Sequence, residues 1–267
     1  MRLFRAGLRK LIRRPATYIT FGLLVGLLAL ILLAVGATAG QQTSEGSREA
    51  LLLVTFPGAY RLVVSFILGL GGLFAMTYGA AIAGSEWTWG TLKAAIARGE
   101  SRTRYQLFTF ASIALLIGIG LMAAVFIGVL VALLAATLAG VSTSGVDDST
   151  ALGTLPELLA RGWLGIVEAG ALGFAIATLA RSQLAGVGVG IGVYFGESFA
   201  TIFLPDIVKY GPFNAASAVV ATEGGGGFGG GAPPRLEPDT ALIVVVVWLI
   251  GALLVTALFT ERAEISG

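Results

Sequence analysis

Two carboxylates, Glu168 and Glu197, lie inside long apolar runs that hold almost no other ionisable side chains. A charged side chain near the centre of a bilayer costs roughly 2.5–3.5 kcal/mol on insertion scales, so each of the two has to face protein or water, or carry a proton. Three kinds of chemistry follow: a cation-attracting site in a path, a proton-linked switch, or a polar clamp between helices hydrogen-bonded to Ser, Thr or Tyr. Gly165, Gly170 and Gly173 beside Glu168 suit close helix packing and favour the intramembrane clamp there. Glu197 neighbours Tyr194, Phe195 and Phe199, rings whose faces attract cations, and this leaves a ligand-facing role open beside the structural clamp. The chain has neither His nor Cys. Nucleophile systems built on an imidazole base and zinc centres therefore drop out, and no catalytic residue or metal site is expected.

The elements that hold these residues are read as membrane helices. A helix needs roughly 20 apolar residues to cross the hydrocarbon core, and the runs 16–39, 62–84, 107–139, 158–180, 183–204 and 240–259 each reach that length. Composition agrees, with 56% hydrophobic and 12% charged residues among 267 and a mean hydropathy of +0.91. The polar stretches between runs are too short to bury cores of their own. The expected fold class is an all-α membrane protein with one transmembrane domain, 1–267. The third run exceeds one span but is too short for two plus a turn, so a long or tilted helix is expected. Phe66, Phe74 and Tyr78 in the second run are candidate path-lining rings, together with Tyr194, Phe195, Glu197 and Phe199 in the fifth. Gly186, Gly188, Gly190, Gly192 and Gly196 give the fifth run a surface for close helix approach, or hinges.

Ahead of the first run, residues 1–15 read as an amphipathic interfacial helix. Leu3, Phe4, Gly7, Leu8, Leu11 and Ile12 share one face, while Arg2, Arg5, Arg9, Lys10, Arg13 and Arg14 occupy the other, toward anionic headgroups of the lipid bilayer. Pro15 is expected to break that helix. The 24-residue run 16–39 is longer than the apolar region of a signal peptide, so retention as a first helix is expected. Counting Lys and Arg on alternate sides of six spans gives twelve on one side and five on the other. The positive-inside rule then puts both termini in the cytoplasm of a cell membrane, with residues 205–239 external.

The 85–106 segment after the second run carries the most specific pattern. As a short helix it would set Trp89, Leu92 and Ile96 on an apolar ridge opposite Thr91, Ala94 and Arg98, and Gly99 would stop it. Glu86, Gly90, Thr91, Leu92, Arg98, Gly99, Ser101 and Arg102 follow in order the coupling segment of the type-2 ABC exporter permease family, which this segment resembles. Glu100 stands where that family usually has a small apolar residue. Residues 209–218 are similar to the family's external segment before the last span, with Gly211 in place of a more usual apolar residue. The resemblance covers nearly the whole chain.

That resemblance implies six transmembrane helices, an N-terminal interfacial helix and a short cytoplasmic coupling helix. It implies a division of labour in which two permease subunits, identical or paralogous, form the path and separate ABC ATPase subunits bind ATP and Mg. Glu86, Trp89, Gly90, Thr91, Leu92, Arg98 and Arg102 would then form the ATPase-coupling contact. The chain lacks the Gly-x-x-x-x-Gly-Lys-Ser/Thr loop that cradles phosphates. The run 224–231, glycine except for Phe228, has no lysine and reads as a flexible external loop. No enzyme activity, no cofactor of its own and no nucleic-acid partner are expected. A carrier or channel using Glu168 and Glu197, or a structural membrane subunit, is the alternative.

Overall fold

The computed structural model describes residues 2–39, 51–220 and 236–263; the glycine run at 224–231 lies outside them. The helices are α1 (Arg2–Ile12), α2 (Pro15–Ala39), α3 (Gly58–Thr88), α4 (Thr91–Ala97), α5 (Arg102–Leu138), α6 (Ser149–Ala180), α7 (Gln183–Phe203), α8 (Pro205–Val208), α9 (Pro212–Val219) and α10 (Pro238–Arg262). Six of them, α2, α3, α5, α6, α7 and α10, are long and apolar enough to cross a membrane, one for each run in the sequence. The protein is an all-α, multi-pass membrane protein.

Several boundaries differ from the sequence reading. Helix α3 continues to Thr88 and α5 starts at Arg102, which shortens the 85–106 segment at both ends. The third run is one helix of 37 residues, about 55 Å long. Helix α6 starts at Ser149 rather than at 158 and carries Pro156 inside it. Its start is fixed by Asp148, whose carboxylate accepts from the Ala151 backbone N–H at 2.8 Å, as an N-cap residue does. Pro15 does end α1, and it opens α2 as the first residue, where its missing N–H is harmless.

The chain divides into two compact units. One comprises residues 18–71 and 118–160. Within it a Cβ on Gly36 would meet the Ala135 carbonyl oxygen at 2.6 Å, so only glycine lets α2 and α5 approach this closely. Tyr60 stands edge-on to Phe56 at 5.0 Å and donates to the Val146 carbonyl at 2.5 Å.

The other unit comprises residues 1–17, 72–117 and 161–267. There α3 and α6 meet backbone to backbone, because a Cβ on Gly79 would collide with the Gly170 carbonyl and one on Gly173 with that of Met76. Around this contact Leu11, Tyr78, Ile82, Phe110, Val167, Phe174 and Ala252 form a buried cluster. A second cluster joins α9 to α10 through Ala215, Ala218, Val219, Ala241 and Val245.

Candidate functional site

The last turn of α3 carries Ser85 and Glu86, both buried, and Glu86 is fully inaccessible. The chain then turns through Gly90, which has φ +65°, a left-handed conformation that glycine takes without strain. Helix α4 ends in a complete glycine stop. Gly99, at φ +86°, donates to the Ile96 carbonyl at 2.8 Å, and the Glu100 N–H reaches the Ala95 carbonyl at 3.3 Å. The sequence expected this stop at Gly99. It misplaced the ridge, however: Leu92 and Ala95 are the buried positions of α4, whereas Trp89 precedes the helix and is 64% exposed. The left-handed Gly90 turns Trp89 off the α4 face.

The Glu86 carboxylate gathers four segments. The Lys10 ammonium of α1 donates to both oxygens, at 2.6 and 2.8 Å. The Arg14 guanidinium donates to Oε1 at 3.2 Å and to the Ser85 hydroxyl at 2.5 Å. Tyr105, one turn into α5, donates its hydroxyl to Oε2 at 2.6 Å, and the Thr91 hydroxyl at the start of α4 donates to the same oxygen. Arg14 also lies over the Trp89 ring, 4.9 Å from its centre. A buried carboxylate is tolerable when charge and hydrogen bonds both compensate it, and here two cations and two hydroxyls do so. Burial pulls the Lys10 ammonium below its usual range by more than Glu86 beside it raises it.

Lys10 and Arg14 are the residues that sequence reasoning missed, having assigned every α1 cation to the headgroup side. Both turn inward to Glu86, whereas Arg5, Arg9 and Arg13, which are also spaced by four, are exposed, so spacing alone did not mark them. Nothing in the sequence marked Tyr105. Of the expected coupling residues, Glu86 and Thr91 belong to this cluster, and Arg98 is exposed. Arg102 points elsewhere. Its guanidinium donates to the carbonyls of Thr260, Glu261 and Ala263 at 3.4, 3.1 and 2.8 Å, closing the C-terminal end of α10, and Glu261 in turn accepts from the Thr103 backbone N–H at 3.2 Å.

The candidate path residues differ in exposure. Phe66 and Tyr78 are buried, and Tyr78 is hydrogen-bonded to the Thr17 hydroxyl at 2.8 Å. Phe74 is half-buried. On α7, Phe195 and Phe199 are 50% and 67% exposed, while Tyr194 stands edge-on to Phe213 at 4.9 Å.

Glu197 has a structural task that the sequence did not suggest. Its carboxylate accepts from the backbone N–H groups of Phe213 and Asn214, at 3.4 and 3.0 Å, and from the Asn214 side chain at 3.2 Å. These are the second and third residues of α9, whose own N-cap, Gly211, has no side chain to offer. A Cβ on Gly211 would sit 2.7 Å from the Glu197 carboxyl carbon. Gly211 therefore stands at this position because the cap arrives from another helix.

Glu168 is also fully buried, and neither of its oxygens has a hydrogen-bond partner among the described residues. No Ser, Thr or Tyr hydroxyl among the described residues meets it as a clamp would require. No group of three or more His, Cys, Asp or Glu that could hold a metal occurs among the described residues. A scan against protein-family models finds none that matches the chain, and a search of curated proteins finds no match.

Proposed function

We propose that this chain is the membrane-spanning permease subunit of an ATP-driven ABC exporter. It works as a pair of permease subunits, identical or paralogous, coupled to separate ATPase subunits that bind ATP and Mg. The termini and α4 face the cytoplasm of the cell membrane. The observation that supports this reading is the seating of α4: Glu86 and Thr91 bind its start to α1, α3 and α5, while Trp89, Ala97 and Arg98 remain exposed. Such a helix, rigid at its root and open on its outer side, transmits a push from a partner into spans α3 and α5 as a rigid-body movement. Exposure of Phe195 and Phe199 fits a path whose other wall comes from the second permease subunit.

Charge reversal tests the contact. Arg98→Glu lowers ATP hydrolysis stimulated by the reconstituted complex while membrane insertion and subunit yield are unchanged; undiminished stimulation would exclude α4 as the contact. Arg102 is unsuitable for this test, because its side chain closes the end of α10. The carrier reading rests on Glu168 alone, since Glu197 is occupied as the cap of α9.

A further inference from the structure

A cleft of about 310 Å³ opens between α1, α4 and the start of α5. Its walls are mostly apolar, with Leu3, Leu11, Ala94 and Phe108 among them, and it lies at the ends of the spans α3 and α5 rather than within them. Three charged side chains line it: Glu86, Lys10 and Arg98. Glu86 is saturated by the cluster described above, and Lys10 is committed to it. Arg98 is exposed and has no side-chain hydrogen bond or ion pair among the described residues. The cleft thus offers a small apolar hollow with one uncompensated cation at its edge. Its volume is at the low end of the roughly 300–1,000 Å³ of ligand pockets, too small for a whole lipid.

We infer that this cleft holds an anionic phospholipid, whose headgroup phosphate pairs with the Arg98 guanidinium while the upper part of an acyl chain lies along Leu3, Ala94 and Phe108. The occupant has to combine one negative charge with an apolar body, and it has to reach a site at the end of the spans. A phospholipid of the surrounding leaflet meets all three requirements. A guanidinium suits phosphate because its planar fork donates two parallel hydrogen bonds. The exposed α1 cations Arg5, Arg9 and Arg13 add an electrostatic preference for the same lipids. The bound lipid then ties α1 to α4 beside the Glu86 cluster.

The test uses the full chain alone, without any ATPase, so its outcome is separate from that of the coupling reading. The chain is reconstituted in discs of equal phosphatidylglycerol and phosphatidylcholine, and native mass spectrometry counts the lipid retained. The unmodified chain keeps phosphatidylglycerol in preference, and excess inorganic phosphate does not displace it. Arg98→Ala reduces that preference about five-fold, the factor expected for one cation near an anionic headgroup, and Arg98→Lys keeps most of it. Ala94→Phe fills the hollow and lowers retention of both lipids. Both positions are exposed, and thermal unfolding confirms that the variants fold. Equal retention of the two lipids by the unmodified chain, or a preference untouched by Arg98→Ala and Ala94→Phe, would overturn the inference. Displacement by inorganic phosphate would overturn it too, since the cleft would then be a small-anion site.

Discussion

Glu86 and Glu168 are equally buried and oppositely treated. Glu86 receives hydrogen bonds from four side chains, two of them cations; Glu168 receives none among the described residues. The difference is one of position along the helix. Glu86 lies two residues from the end of α3, where α1, α4 and α5 bring polar side chains from the interface within reach. Glu168 sits far inside α6, between Val167 and Ala169, and no hydrogen-bond donor among the described residues reaches its oxygens. At the membrane edge a buried charge can recruit partners from connecting segments, and deep in a span it depends on what neighbouring spans provide.

The largest effect expected is at the saturated carboxylate. Glu86→Gln leaves Lys10 and Arg14 without their counter-charge and lowers stability by about 3–5 kcal/mol, the usual cost of breaking a buried pair from one side. Denaturant unfolding in detergent measures it, and faster hydrogen exchange throughout α1 is the accompanying sign. A variant as stable as the parent would remove the hub. At Glu168 the sign reverses. Glu168→Met removes two unmet polar atoms and raises stability by about 1–3 kcal/mol in the same assay; a loss instead would reveal a partner for this carboxylate in the assembled protein.

Glu197 falls between the two, partnered by backbone amides rather than by cations. Glu197→Leu costs about 1 kcal/mol, as loss of a helix cap does, and speeds exchange of the Phe213 and Asn214 amides. The smallest effect is at Lys10. Its ammonium lies below its usual range in the folded protein, mainly through burial. The unfolded chain therefore holds that proton more tightly, and stability rises with pH between the lowered value and the usual 10.5. Lys10→Met abolishes this alkaline rise, which unfolding series at several alkaline pH values will detect.

Six spans and the all-α class were legible in the sequence because lipid demands long uninterrupted apolar runs, and little else satisfies that demand. The glycine stop at Gly99 was legible for a similar reason, since a helix end needs a residue that tolerates positive φ. The hub was only half visible. Glu86 and Thr91 stood in a recognisable order, but their partners Lys10, Arg14 and Tyr105 come from other segments, and local pattern does not encode that pairing. The cap on α9 escaped for the same reason. Gly211 hints at it only once Glu197 is known to lie 2.7 Å from the missing Cβ. Trp89 was misjudged because helical periodicity was carried back through Gly90, whose left-handed turn ends that periodicity.

The claim on which the functional account depends is that α4 meets an ATPase. Ala97, exposed on the outer side of α4, can be replaced by a photo-crosslinking benzoylphenylalanine and irradiated in native membranes. The account predicts a crosslink to a separate polypeptide that carries a phosphate-binding loop and hydrolyses ATP. Crosslinks to lipid alone, or labelling of residue 97 by an impermeant reagent from outside the cell, would contradict it.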